Sequence, residues 1–265
     1  MTFAFLIPLG LKDPARDFGV PSTKDLGQLV ITVTDATSLW RSVPEMIAEA
    51  DRQARALGYY RLEGYVFMHE DTEVCDPSVL VKLRQAFKDR QIGVVGVYGA
   101  DRITGLAWWD GRQKGRFPSH VPLRGLNGYP DPPMGYFDYN DPEVACVDGC
   151  FMAISPWVAH NVPFDTERFD GFHGFDVDFC LEVWKAGKKV VVSDIDIWHH
   201  TCNGYGDPNG VLGGYPAWLE ANAIFKEKWG SMREMIRVLE HAGFLIEGVW
   251  RDPHAPGYFA VGVKP

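Results

Sequence analysis

Long apolar runs are missing from this sequence. The longest covers residues 3–11, far short of the about 20 apolar residues that a membrane-spanning helix needs. Met1 leads directly into this run, without the basic segment and small-residue cleavage site of a secretory signal. From these absences we expect a soluble, cytoplasmic protein without a membrane span.

Positive charge is also in short supply. Lysine and arginine number 26 against 35 aspartate and glutamate residues, which gives a formal net charge of −9. Proteins that bind nucleic acid through its phosphates present a basic face, so this balance argues against a nucleic-acid partner. A phosphorylated ligand would require a divalent cation or a few locally placed arginines.

Cysteines are few and follow no metal-binding pattern. The five are Cys75, Cys146, Cys150, Cys180 and Cys202. Only Cys146 and Cys150 are close together, at a spacing unlike that of a zinc ribbon, and no second pair accompanies them. We therefore expect free thiols in a reducing compartment.

What the sequence does contain is an alternation of apolar strands and amphipathic helices. The 46% apolar and 23% charged residues are typical of a globular protein. Strands are predicted over 3–8, 28–36, 65–68 and 92–99, and helices over 43–57 and 76–88. The first helix is predicted to start near Ser42, since Pro44 is typical of a first turn. This order predicts an α/β fold with a mostly parallel central sheet flanked by helices.

Residues 100–143 interrupt this order, because they are rich in glycine, proline and aromatic residues. We expect an irregular aromatic loop region. Two interpretations stay open: the loop lines a ligand site with rings that stack on sugars, or it packs only on its own aromatic residues.

Regular elements return after residue 143. Helices are predicted over 156–161 and 176–186, and a strand over 188–198 leads into two histidines. The segment 231–265 is predicted to form a small helix and β-hairpin tail, separate from a main domain over 1–230. This tail weakly resembles the closing elements of class I methyltransferases, but no glycine-rich cofactor loop accompanies it. It is a candidate accessory element, surface for homo-oligomerisation, or relic of a fusion.

Three acidic or histidine-bearing segments follow predicted strands, over 69–71, 170–178 and 199–200. Each alone is a weak signal, because turns often contain such residues. Ligands of open α/β sheets bind at the carboxyl ends of the strands, where these segments would meet. Together they suit a divalent metal with oxygen and nitrogen ligands.

The segments YVFMHEDTEV (65–74), IGVVGVYG (92–99) and the stretch over 147–204 resemble glycosyltransferase family 2. They are most similar to the bacterial branch with a His-x-Asp motif at the end of a strand. The resemblance implies a GT-A fold and an enzyme that transfers a sugar, with inversion, from a nucleotide-diphosphate sugar to an acceptor hydroxyl. UDP is the favoured nucleotide, with GDP and dTDP as alternatives. The acceptor is a glycan, a lipid-linked sugar, a protein or a small molecule.

The resemblance places His69, Glu70 and Asp71 at the family's Asp-x-Asp motif, among the residues that bind the donor. Asp71 is then expected to hold Mn²⁺ or Mg²⁺ against the diphosphate, where a Lewis acid stabilises the leaving group. His69 departs from the family's acidic residue. Whether it contacts the metal or only the ribose or sugar stays open.

The same resemblance makes Asp176 the expected general base, which takes a proton from the acceptor hydroxyl. The alternative is a simple helix cap. Asp178 is expected to cap the helix or to support the base. Asp148 and Gly149 fall where relatives border the donor sugar and acceptor, although they also suit an ordinary turn.

A histidine late in the sequence corresponds to the metal-binding histidine of many GT-A enzymes. Both His199 and His200 are candidates. Strand alternation places His199 on the face of Ile195 and Ile197, which favours His199, but a bulge would exchange the two side chains.

Four further residues at the ends of the first two strands match positions that seat the base and ribose in relatives: Pro8, Leu9, Thr34 and Asp35. Two other functions stay open. A nucleotidyltransferase would need a glycine-rich basic loop, of which residues 9–12 are a poor version. An inactive nucleotide- or sugar-binding module is favoured only by His69 in place of an acid.

Overall fold

The computed structural model describes residues 2–10, 17–34, 36–101, 103, 105–108, 113–115, 142–200 and 214–230, and the backbone of 245–251 and 258–263. Its strands are β1 Phe3–Leu9, β2 Leu29–Thr34, β3 Gly64–Met68, β4 Thr72–Val74, β5 Ile92–Gly96, β6 Tyr98–Ala100, β7 Gln113–Gly115, β8 Cys146–Val147, β9 Phe151–Ile154, β10 Lys189–Val192, β11 Ile197–His199, β12 Leu245–Arg251 and β13 Tyr258–Val263. Its helices are α1 Gly19–Lys24, α2 Leu39–Ala56, α3 Val79–Ala86, α4 Pro156–Asn161, α5 Phe175–Lys185 and α6 Gly214–Trp229.

The main sheet has six strands in the order β10-β5-β9-β3-β1-β2. β1 pairs in parallel with β2 and β3, and β10 pairs in parallel with β5, whereas β9 is antiparallel to both of its neighbours. Its central strands are buried apolar runs, as expected for strands covered on both faces. The predicted α/β fold with a mostly parallel central sheet and flanking helices is confirmed.

The pairing brings the carboxyl ends of β1, β2 and β3 to one edge of the sheet. Leu9 pairs with Thr34, and Leu6 pairs with Phe67 in the neighbouring register. Beyond the strand, the Gly10 backbone N–H donates to Oε1 of Glu70 at 3.1 Å. The loops after these strands are therefore neighbours, as the strand order requires.

Helix α2 begins earlier than its sequence suggests. It starts at Leu39, so Pro44 lies inside the helix rather than in its first turn, and the predicted start near Ser42 is wrong. The extra turn is stabilised by burial, since Trp40 is fully buried and its ring stacks on Phe169 at a centroid distance of 4.3 Å.

The predicted strand over 188–198 is wrong as a single element. The chain leaves the main sheet after β10 and forms β11, which pairs with β4 in a separate antiparallel ribbon. The turn between them is bound by the β4–α3 segment: Asp196 N donates to Asp76 Oδ2 at 3.2 Å, and Cys75 N donates to the Asp196 carbonyl at 3.0 Å. These bonds replace the sheet ladder at this point.

The predicted strand over 92–99 is likewise divided between two sheets. β5 belongs to the main sheet, and β6 is the central strand of a three-stranded sheet with β7 and β8. This small sheet includes part of the region over 100–143 for which an irregular aromatic loop was predicted. Most of that region lies outside the described residues, although Trp108 packs edge-on against Tyr98 at 5.5 Å.

Helix α6 was not predicted. Its buried residues include Ala221, Phe225 and Trp229, which recur at helical spacing. In the tail, the two predicted strands form the antiparallel pair β12–β13, and the predicted helix before them lies outside the described residues. None of the described helices is long and apolar enough to cross a bilayer.

Candidate active site

The segment after β3 is anchored to the residues that flank β1 and β9 and to the start of α1. The His69 backbone N–H donates to the Cys150 carbonyl at 3.1 Å, and the Glu70 carbonyl accepts from the N–H groups of Phe18 and Gly19 at 2.8 Å each. Glu70, which is predicted to bind the donor, uses one carboxylate oxygen for the N–H of Gly10. The position of the His69–Asp71 segment is therefore fixed largely by backbone hydrogen bonds.

The β4–β11 ribbon brings Asp71 and His199 together. His199 pairs with Thr72, the residue after Asp71, and its Nε2 lies 3.3 Å from Asp71 Oδ1. The His200 backbone N–H donates to the Asp71 carbonyl at 3.0 Å, which extends the ribbon by one residue. Strand register thus sets the separation of these two side chains.

His69 joins this pair to form a three-residue cluster. One ligand atom from each of His69, Asp71 and His199 lies within 4.8 Å of the others. Within the part of the chain that the structure describes, this is the one such group of histidine, cysteine or acidic side chains. Imidazole and carboxylate donors together are typical of a divalent transition-metal site.

His200 lies on the opposite face of the ribbon, as strand alternation predicts. Its Nε2 is 3.0 Å from Glu73 Oε2. Its ring is stacked between Phe18, at a centroid distance of 3.6 Å, and Trp198, at 4.8 Å. The structure therefore places His200 outside the cluster.

The pKa values of the two clustered histidines are shifted in opposite directions. Burial and the neighbouring His199 lower the pKa of His69 to about 4. Burial also opposes a charge on His199, but the hydrogen bond to Asp71 and the charge of Asp71 outweigh it and raise the pKa of His199 above its ordinary value. Burial thus favours the neutral form of His69, whereas Asp71 favours the charged form of His199.

Asp176 lies in the first turn of α5, whose preceding residue Gly174 has a positive φ of 83°. Its Oδ2 accepts from the Gly149 N–H at 3.1 Å. Burial and, second, the negative charge of Asp148 raise the pKa of Asp176 to about 7. A carboxyl group with a pKa near neutrality is suited to act as a general base.

Gly149 is required by the close packing of this corner. A Cβ there would lie 2.3 Å from the Phe175 ring and 3.2 Å from the Asp176 Cβ. Asp148 precedes it, and its Oδ1 accepts from the Cys150 N–H at 2.8 Å. The electrostatic effect of Asp148 reaches His69, His199 and Asp176, so the predicted residues of three segments share one site.

The predicted nucleoside-binding residues lie at the same edge of the sheet. Pro8 and Leu9 end β1, and Thr34 ends β2 beside Leu9 with its side chain exposed. Asp35 lies outside the described residues.

The sequence did not reveal what holds α6 against α5. Lys228 Nζ lies 2.8 Å from Asp178, 2.9 Å from Asp165 and 3.1 Å from Glu182. The Trp229 indole N–H also donates to Asp178 at 2.6 Å. Burial nevertheless raises the pKa of Asp178 to about 6. Asp178 is thus an anchor for α6 rather than part of the His/Asp cluster.

These features define an α/β protein with a His/Asp cluster and a perturbed carboxyl group at the carboxyl edge of its sheet. A family model described as "Glycosyltransferase like family" matches residues 22–207. The chain belongs to this family, which confirms the predicted membership of the family-2 type of glycosyltransferase.

One curated relative is the streptomycin biosynthesis protein StrF of Streptomyces griseus, which is 26% identical over 187 residues. The match covers 69% of this chain and 59% of StrF, so the chain spans about three fifths of that relative's length.

Solved structures of similar fold include that of GalNAc-T7 with UDP, GalNAc and Mn²⁺. It has a TM-score of 0.51 at 12% identity, over 87% of this chain and 49% of that one. The mannosyltransferase PcManGT of Pyrobaculum calidifontis, in complex with GDP-Man and Mn²⁺, has a TM-score of 0.41 at 10% identity, over 91% and 74% of the two chains. The fold is that of GT-A glycosyltransferases.

Proposed function

We propose that this protein is a metal-dependent, inverting glycosyltransferase that moves a sugar from a nucleotide-diphosphate donor to an acceptor hydroxyl. One observation carries the proposal: Asp71 and His199 are 3.3 Å apart at the edge of the sheet, close to Asp176. The negative charge of Asp148 raises the pKa values of both His199 and Asp176. Family membership and the Mn²⁺ and UDP named for GalNAc-T7 support it.

Asp71 and His199 are the residues that would hold Mn²⁺ or Mg²⁺. Their donor atoms, one carboxylate oxygen and one imidazole nitrogen, suit a divalent ion. When bound, such an ion stabilises negative charge on a leaving diphosphate. It also offsets the repulsion between the donor and a protein whose formal net charge is −9.

Asp176 would accept the proton of the attacking hydroxyl. Its pKa of about 7 leaves a large fraction ionised at neutral pH and still makes it a competent base. The Gly149 N–H fixes one carboxylate oxygen, so the carboxylate is oriented before the acceptor binds. A single base on one side of the sugar is what a direct, inverting displacement requires.

The nucleoside would lie along the ends of β1 and β2, where Leu9 and Thr34 are paired. We favour UDP as the nucleotide, with GDP and dTDP as the alternatives to test. The transferase unit would comprise residues 1–230, and the tail over 231–265 would be an accessory segment. The acceptor is a hydroxyl-bearing molecule.

The first test is thermal unfolding with UDP, GDP and dTDP, each with and without Mn²⁺. We expect one nucleotide to raise the melting temperature substantially only when Mn²⁺ is present. Equal stabilisation without the ion would contradict metal dependence. Transfer is then assayed with sugars carried on that nucleotide, and binding without any transfer would favour an inactive module.

The matched pair His199→Ala and His200→Ala tests the metal site. His199→Ala should weaken Mn²⁺ binding in the presence of the diphosphate by about tenfold or more, because it removes a ligand. His200→Ala should have little effect, since His200 contacts Glu73. Equal effects in an Mn²⁺ titration would contradict the assignment of His199.

A further inference from the structure

The unexplained feature of the site is the His69 side chain. Its Nε2 is shielded from solvent and makes no hydrogen bond to any described residue. A buried polar atom without a partner is costly, and native structures generally retain one only where a ligand or function uses it. The ring is held by contacts with Phe67, Phe172 and Phe175, so it cannot easily turn toward water.

The neighbours of His69 indicate which ligand would use the imidazole. A ring nitrogen of His69 lies within 4.8 Å of donor atoms of Asp71 and His199, which the proposed function already assigns to a divalent ion. Donors about 2.1 Å from one ion are at most about 4.2 Å apart, so small side-chain rotations bring all three onto a common ion.

We propose that His69 is a third protein ligand of the metal, and that the resulting pair of imidazoles with one carboxylate makes the site selective for Mn²⁺ over Mg²⁺. This inference rests on the proposed function. The acidic residue expected at this position would supply oxygen, which suits Mg²⁺, whereas imidazole suits transition metals. Substituting nitrogen for oxygen therefore changes which ion supports donor binding.

The chain offers a near-isosteric variant and a matched control. His69→Phe keeps a ring among the three phenylalanines and removes the nitrogens. His200→Phe makes the same substitution next to His199 but outside the cluster, and keeps the ring between Phe18 and Trp198. His69→Asp restores the acidic residue.

The deciding measurement is pulsed EPR of Mn²⁺ bound to the protein with UDP or GDP, after labelling histidine with ¹⁵N. We expect couplings to two imidazoles in the wild-type protein and in His200→Phe, and to one in His69→Phe. A single imidazole in the wild-type protein would overturn the proposal and needs no variant to fold. That result would leave the transferase proposal intact.

Metal titrations give a second readout. We expect His69→Phe to weaken Mn²⁺ binding by about tenfold or more. Mutation of a residue that only hydrogen-bonds to a metal ligand typically costs this much, and loss of a ligand should cost at least as much. His69→Asp should narrow the preference for Mn²⁺ over Mg²⁺ by a similar factor. An unchanged preference would contradict the selectivity claim. Two imidazoles on Mn²⁺ without any sugar transfer would contradict the proposed function and preserve the role of His69.

Discussion

Two aspartates only two residues apart on α5 have opposite environments. Asp178 is buried against Lys228 and the Trp229 indole N–H. Asp176 receives backbone N–H groups and lies near the negative charge of Asp148, and its pKa is raised to about 7. Burial is the leading influence on both, and the difference is the cation.

This difference separates Asp178, which is held in an ion-pair network, from Asp176, which is proposed to act as the general base. A cation beside Asp176 would lower its basicity, whereas a cation beside Asp178 offsets the cost of burying a carboxylate. One face of helix α5 therefore anchors α6, and its other face carries the proposed base.

The largest effect is expected at Asp71, the carboxylate that is proposed to bind the metal ion. Asp71→Ala should abolish measurable transfer and the Mn²⁺-dependent part of nucleotide affinity, while the protein still folds. Glu73→Gln, on the same ribbon but bound to His200, is the control. Unchanged Mn²⁺-dependent affinity in Asp71→Ala, measured by calorimetry, would contradict the assignment.

Separate substitutions of the two α5 aspartates should have opposite effects on kcat and on the free energy of unfolding. Asp176→Asn should keep donor binding and lower kcat by about 10²–10⁴-fold, the usual contribution of a general base. Asp178→Asn should keep kcat and lower the free energy of unfolding. Steady-state kinetics with urea denaturation of both variants tests this, and retained turnover in Asp176→Asn would make it only a structural residue.

Removing the Lys228 ammonium group should weaken the contact between α5 and α6 without affecting Asp176. Lys228→Met leaves Asp165, Asp178 and Glu182 without their shared cation, so we expect the free energy of unfolding to fall by about 3 kcal/mol. Lys226→Met, at an exposed position of the same helix, should have almost no effect. Equal urea midpoints for the two variants would refute this account of α6.

The smallest expected effect is a pH-dependent gain in stability. The pKa of Asp176 is raised from 3.8 to about 7 on folding, so its ionisation costs stability increasingly as pH rises through this interval. Asp176→Asn should therefore stabilise the metal-free protein more at pH 8 than at pH 5, by about 2–3 kcal/mol. Urea denaturation at both values measures it, and a gain independent of pH would show that burial does not perturb this carboxyl group.

Local pattern was sufficient for much of the fold. The buried runs of β1 and β3, and the end of α5 two residues before Gly187, follow from periodicity and glycine placement. Helix α6 was missed although Trp218, Ala221, Phe225 and Trp229 recur at helical spacing, a signal that an unbiased scan detects.

Long-range pairing accounts for what could not be predicted. The exit of the chain after β10 depends on hydrogen bonds from Cys75 and to Asp76, more than a hundred residues earlier. Alternation placed His199 and His200 on opposite faces, but only the β4–β11 register shows that Asp71 is the neighbour of His199. Likewise, no local signal connects Lys228 to Asp178.

The β4–β11 ribbon lies outside the main sheet, and this affects how homologous sequences can diverge. Its residues next to the cluster are not part of the six-stranded sheet that specifies the fold. Under the proposed function, homologous chains can therefore alter the metal preference without changing the strands of the main sheet. Divergence in ion requirement within such a lineage should be concentrated in the ribbon and in the segment that leads into it from β3.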